Sequence, residues 1–194
     1  PEAYFVHTPG LRVVSPATPD DGYWMVQQAI ASDDPVVFLE PKRRYWDKGV
    51  VSVDADRAPH SLYAARVLRE GTEVVLAGYG PTVRTCLDAA DAAAEDGHSL
   101  AVVDLRSLSP LDWATLVRVT REVGRVVVVH EAHRTLGLGA EVAARLAEEC
   151  FYSLESPVLR VTGYDTPYPP SRMEDTWLPD IDRVLDAVDD ALAF

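Results

Sequence analysis

Basic residues are scarce in this chain: 18 lysines and arginines stand against 31 aspartates and glutamates, for a net charge of −13. Long-range attraction to nucleic acid or to an anionic membrane is thereby disfavoured, and a basic protein partner would be steered in. Cysteine is scarcer still. Cys86 and Cys150 both fall in helix-like apolar patterns without metal-ligand spacing, which reads as two buried reduced thiols of a cytoplasmic protein. No run approaches the ~20 apolar residues of a membrane helix. No serine occupies a nucleophile elbow, and neither cysteine has an activating neighbourhood. The glycine turns are incomplete as phosphate cradles: Gly78-Tyr79-Gly80 lacks a third glycine and is followed by Pro81, which has no amide to donate, and Gly137-Leu138-Gly139-Ala140 is equally short of the pattern. An initiator methionine is also missing. The first residue is Pro1 and the chain enters in mid-domain, so it reads as a fragment or a processed chain.

What is present is a regular alternation of apolar runs and helical patterns. Leu11–Ser15 predicts a strand, Thr18 an N-cap with Pro19 at the first helical position, a helix to about Ser32, and Pro35–Glu40 a second strand. From Pro41 to Arg69 periodicity fades, as expected of a connection across a surface, and Lys42-Arg43-Arg44 reads as a solvated basic cluster. Beyond Gly71 the pattern sharpens. Strands are predicted at Glu73–Ala77, Leu100–Leu105, Arg125–Val129 and Pro157–Thr162, with helices between them, the second beginning at Ser109-Pro110-Leu111-Asp112 with Ser109 as cap and ending at Gly124. A last helix starts near Asp180, and its aspartates read as a solvated face. This order specifies an α/β fold with a mainly parallel sheet flanked by helices.

Val126–Leu146 draws the most attention. Four valines read as a strand covered on both faces, and His130, Glu131 and His133 follow as a polar turn before a helix opened by Gly137 and Gly139. The three polar residues could form a metal or acid/base cluster. Neighbours on a turn point different ways and no third ligand is evident, so structural hydrogen bonding is expected of them. The glycines are expected to permit close backbone packing.

Taken in order, PEAYFVHTPGLRVVSPATPDD, DDPVVFLEPKRRY, AVVDLRSLSPLD, VVVHEAHRTLGLGAEVAARL and RVTGYDTPYPPSRMEDTWLPD resemble the beta subunit of the thiamine-diphosphate-dependent decarboxylating component of 2-oxo acid dehydrogenase complexes. His130-Glu131-Ala132 and Tyr164-Asp165-Thr166-Pro167 resemble the branched-chain enzymes more than the pyruvate ones. The resemblance implies that residues 1–45 end a pyrimidine-binding domain, 46–69 link, and 70–194 form a transketolase C-terminal domain. It implies that the family's active-site histidine lies immediately before Pro1, so that no catalytic or cofactor-binding residue is expected within the chain. The parent complex would use thiamine diphosphate with magnesium, and none is expected on this chain alone. A potassium site would fall on Ala29, Ser32 and Asp34, with Ser32 at a position where an aspartate is common. The implied partners are an alpha subunit, a second beta subunit, and an acyltransferase core with lipoyl domains, docked near Glu155 and Phe194; Gly137 and Gly139 are expected at a subunit contact. A transketolase-like deoxyxylulose-phosphate synthase shares the domain and is the rival enzyme; a free protein-binding module is the non-enzyme rival.

Overall fold

A computed structural model describes residues 2–53 and 60–194. A short helix α1 (Glu2–Val6) leads to strand β1 (Arg12–Val14), helix α2 (Pro19–Ile30) and strand β2 (Val36–Phe38). Thr18 caps α2 by accepting the Asp21 amide at 3.1 Å, and Pro19 follows in the first turn, where its missing amide costs nothing. After a single 3₁₀ turn at Lys42–Arg44 come β3 (Arg66–Arg69), β4 (Val74–Gly78), α3 (Thr82–Glu95), β5 (Leu100–Asp104), β6 (Ser107–Ser109), α4 (Trp113–Val123), β7 (Val126–His133), α5 (Leu138–Glu149), β8 (Leu159–Gly163), α6 (Glu174–Trp177) and α7 (Ile181–Leu192).

The main sheet has the order β3-β5-β4-β7-β8, parallel throughout except for β3, which runs antiparallel on β5 at the edge. Consecutive strand residues point to opposite faces, and the valine run shows the consequence. Val126 and Val128 pack with Val75, Ala101, Leu116 and Leu146 under α4 and α5, while Val127 and Val129 pack with Leu76, Val102, Ala89 and Val184 under α3 and α7. Both faces are covered, so every position is apolar; each valine removed from water contributes about 1.5–3 kcal/mol. Helix α4 ends where Gly124 adopts the left-handed conformation at φ 86°.

Three expectations change. The connection ends in a strand: β3 is half-buried along its length, and as an edge strand carrying Arg66 and Arg69 it has no apolar alternation to announce it. Ser109 does not cap α4. It closes β6 and donates its hydroxyl to the Leu11 carbonyl, while Asp112 takes the Thr115 amide at 3.1 Å. The strand does not stop at Val129 but runs through His133, with its register on β8 broken between His130 and His133. A second sheet, β2-β1-β6, joins the two halves of the chain, because β6 pairs antiparallel with β1. Among the described residues no helix is long and apolar enough to cross a membrane.

Candidate functional site

After β4 and β5 the chain crosses to the other side of β4 to form β7. The strand order therefore reverses between β4 and β7, and the carboxyl ends of these two strands flank the crevice where open α/β sheets place their sites. Four residues meet there. Tyr79, just past β4, donates its hydroxyl to Glu2 Oε1 of α1 at 2.5 Å, and its ring stacks on His130 with centroids 6.1 Å apart. Glu131 follows on β7. Burial pushes the Tyr79 hydroxyl well above its ordinary range, with the Glu2 charge adding to the effect. Burial raises the Glu2 carboxyl as well, but it is outweighed, the hydrogen bond from the Tyr79 hydroxyl foremost, and the carboxyl lies below its usual range.

His130 is fully buried, and both of its ring nitrogens are committed. Nε2 accepts the Gly139 amide at 3.2 Å, and Nδ1 donates to the Ala132 carbonyl at 3.1 Å. These partners assign the neutral Nδ1–H tautomer. Burial depresses the imidazole to about 4, so it is uncharged at neutral pH. The ring thus satisfies an amide in the first turn of α5, a helix whose N-cap, Gly137, has no side chain to offer. The glycines are explained by the same contact. A Cβ on Gly139 would stand 2.6 Å from His130 Nε2, and one on Gly137 would stand 2.3 Å from the His133 carbonyl oxygen. The close approach they permit is made within the chain, where both are buried.

His133 turns the other way. Its Nε2 donates to the Thr166 carbonyl at 2.8 Å and its ring meets the edge of Trp177. Glu131 is the group here whose proton changes near neutrality: burial raises its carboxyl to about 7, against the pull of Arg43 and Arg44 and with the push of Glu2. The three polar residues therefore do not converge. Among the described residues no three His, Cys, Asp or Glu side chains could hold a metal ion.

The remaining expected positions lie apart. Asp34 is paired with Arg12 at 2.9 Å, Ser32 Oγ accepts the Asp34 amide, and the Ala29 carbonyl accepts the Ser32 amide. The Asp34 carboxylate is thus engaged by the Arg12 guanidinium. Glu155 pairs with Arg125 at 2.6 Å while staying largely exposed, and Phe194 is 70% exposed. The Lys42–Arg44 cluster is not simply solvated, for Arg43 pairs with Asp175 and Arg44 donates to the Pro81 carbonyl.

Sequence reasoning missed a buried ionic cluster that fastens α2 to the main sheet. Asp21 on α2 lies 3.3 Å from Arg106 Nε and 3.4 Å from Arg66 on β3. Arg106, in the left-handed conformation at φ 53°, also donates to the Ser61 and Ala64 carbonyls. Asp104 accepts the Arg106 amide through Oδ1, its Oδ2 has no hydrogen-bond partner, and burial raises its carboxyl to about 8. A carboxyl closing an apolar strand was the available signal, since a buried acid must find a partner or a proton.

A mainly parallel sheet with helices on both faces, a scaffold histidine at its switch point and a second sheet shared with the preceding segment define the class: an α/β protein of the open-sheet type. The chain belongs to the family described as "Transketolase, C-terminal domain", matched over residues 63–184, and residues 1–47 match "Transketolase, pyrimidine binding domain". Two relatives stand out. The chain is 54% identical over its full length to "Pyruvate dehydrogenase E1 component subunit beta" of Leifsonia xyli, and 53% identical over 98% of its length to "3-methyl-2-oxobutanoate dehydrogenase subunit beta" of Mycobacterium tuberculosis. It spans 57% and 55% of their lengths. Among solved structures, a split-gene transketolase described as an inactive beta4 tetramer superposes with a TM-score of 0.80 at 29% identity, covering 98% of this chain and 60% of that one. A Pichia stipitis transketolase, at 15% identity, superposes with a TM-score of 0.66, covers all of this chain and 27% of its own, and shows the fold alone.

Proposed function

We propose that this chain is part of the beta subunit of a thiamine-diphosphate-dependent 2-oxo acid dehydrogenase acting on branched-chain 2-oxo acids, and that the portion described here serves assembly and docking while the chemistry lies elsewhere. The observation that carries the second half is His130. The histidine best placed at the switch point has both nitrogens engaged, Nε2 by the Gly139 amide of α5 and Nδ1 by the Ala132 carbonyl of β7, which leaves none to exchange a proton with substrate. Thiamine diphosphate with magnesium would be held by other parts of the assembled enzyme.

The branched-chain reading is supported by the Mycobacterium tuberculosis relative and by the His130-Glu131-Ala132 and Tyr164–Pro167 motifs. These motifs are scaffold: Thr135 donates twice to Asp165, and Trp177 donates to the Thr166 hydroxyl. The Leifsonia xyli relative favours the pyruvate reading instead. Comparison of kcat/KM for 3-methyl-2-oxobutanoate and pyruvate with the full-length protein and its alpha partner decides between them. Combining the 194-residue chain with the alpha subunit, thiamine diphosphate, magnesium and 3-methyl-2-oxobutanoate should release no carbon dioxide; measurable turnover overturns the proposal of an inactive module.

Assembly would join an alpha subunit, a second beta subunit and the acyltransferase core. Glu155 and Phe194, both exposed, are the proposed contacts for a basic segment of that core. Attraction of this kind weakens with salt. Calorimetric titration at two ionic strengths tests it, and an affinity that does not fall with salt counts against docking on this face.

A further inference from the structure

We propose that Asp21, Asp104 and Arg106 form a proton-sensitive clasp that sets how firmly residues 1–47 are held against the main sheet. The clasp goes beyond the reaction and the docking proposed above and holds whichever 2-oxo acid is used. It lies at the joint between the two family-matched units, where the chain leaves β5 and enters β6. Arg106 is its hub. The Arg106 carbonyl accepts the Ser15 amide at 2.8 Å, just beyond β1, while its guanidinium faces Asp21 of α2 and donates to the Ser61 and Ala64 carbonyls. Its own amide donates to Asp104 Oδ1 at 3.0 Å. These contacts hold the arginine in the left-handed conformation, which residues with a side chain seldom adopt.

Two buried atoms of the cluster lack a hydrogen bond, and they are of opposite kind. Asp104 Oδ2 is an acceptor to which nothing donates, and Arg106 Nε, although 3.3 Å from Asp21 Oδ1, makes no hydrogen bond with it. Asp104 is 0% and Arg106 1% exposed, so bulk water serves neither. A carboxyl with a bare oxygen in such surroundings must gain a partner or keep its proton. Asp21, itself 2% exposed, competes for the same guanidinium. Asp104 therefore keeps its proton while Asp21 faces Arg106, and ionising it would set two buried carboxylates against each other across one cation.

The charged and titratable groups facing Asp104 are Asp21 of α2, Arg106 beside it, Arg66 of β3 and Cys86 of α3. Burial foremost, and then the Asp21 charge, raises the Asp104 carboxyl to about 8. Burial also pushes the Cys86 thiol far up, so it stays protonated, and it lowers His60, which lies near Asp21 and the two arginines and is neutral above pH 6.5. Opening the clasp returns Asp104 to water and to the ordinary carboxylate range, so opening releases a proton. Rising pH favours opening up to about pH 8, and residues 1–47 are held more firmly in acid than in base.

Amide hydrogen exchange of the 194-residue chain, followed by NMR at pH 6.5 and 7.5 and corrected for intrinsic rates, tests this. The Ser15 and Arg106 amides report the clasp, and the Val75 amide, bonded to the Arg125 carbonyl within the main sheet, reports global opening. The Ser15 and Arg106 opening constants should exceed that of Val75 and rise about eightfold over this pH unit, against less than about twofold in Asp104→Asn. Carbon-13 titration of the Asp104 carboxyl needs no variant and should give a midpoint of about 8, which Asp21→Asn should lower by removing the competing charge. A midpoint in the ordinary carboxylate range overturns the clasp. So does exchange of Ser15 and Arg106 only in step with Val75, which would leave the joint no opening of its own. A pH dependence that survives in Asp104→Asn places the sensor elsewhere, and a midpoint indifferent to Asp21→Asn removes Asp21 from the device; either result refutes the cluster as drawn.

Discussion

Replacing His130 with glutamine should remove a large part of the acid sensitivity of this fold. The imidazole titrates at about 4 when buried and near 6.5 when the chain is unfolded. A depressed histidine contributes its full stability above about pH 6.5, where it is neutral in both states. As pH falls from 6.5 toward 4, the unfolded chain takes up a proton that the folded chain refuses, and stability is lost through that window. With these two values the loss between pH 7.5 and pH 5.0 is roughly 2 kcal/mol. Other buried groups act in the opposite sense: Asp104 and Glu131, raised to about 8 and about 7, bind protons more readily when folded and lend stability as pH falls. The difference between wild type and His130→Gln therefore carries the information, since these contributions are common to both. Glutamine can accept the Gly139 amide and donate to the Ala132 carbonyl without titrating. Urea unfolding at the two pH values, with equal m-values, supplies the four free energies. The variant should lose roughly 2 kcal/mol less than wild type on acidification. Parallel losses in the two proteins would refute a neutral buried His130.

Gly139→Ala places a methyl group 2.6 Å from His130 Nε2, so a fully buried ring must shift. The cost should be about 1–3 kcal/mol by urea unfolding, and a neutral result would mean that the α5 start is looser than described. Asp104→Asn exchanges a buried neutral carboxyl for a group that does not titrate. Because the raised carboxyl stabilises wild type at low pH and loses that contribution as pH rises from about 4 to 8, the variant should be flatter by more than about 1 kcal/mol across the range. Equal slopes would show Asp104 to be ionised at neutral pH.

The parallel strands were legible because burial on both faces leaves a continuous apolar run such as Val126–Val129. The pieces that escaped lack that signature. Strand β3 is a half-buried edge, and β6 is three residues long and pairs with a strand nearly a hundred positions earlier, a contact no local pattern encodes. Ser109 read as the cap of α4, but the β6 pairing took Ser109 and left the capping to Asp112. At the site, Gly137 and Gly139 were readable as positions of close approach, but their partner was not. Only the folded loop, turned back through the left-handed Leu136, brings the ring of His130 over the first turn of α5. The Asp21–Arg106 pairing is hidden for the same reason, since charge partners carry no sequence periodicity.

The central claim is that the switch-point histidine holds the scaffold and takes no part in proton transfer. Its most direct test is kcat of the assembled full-length enzyme carrying His130→Gln, measured per assembled active site. A scaffold role predicts a value within about threefold of wild type, with losses confined to assembly or stability. A fall of 10²–10⁴, the range that loss of a general acid or base produces, would contradict it.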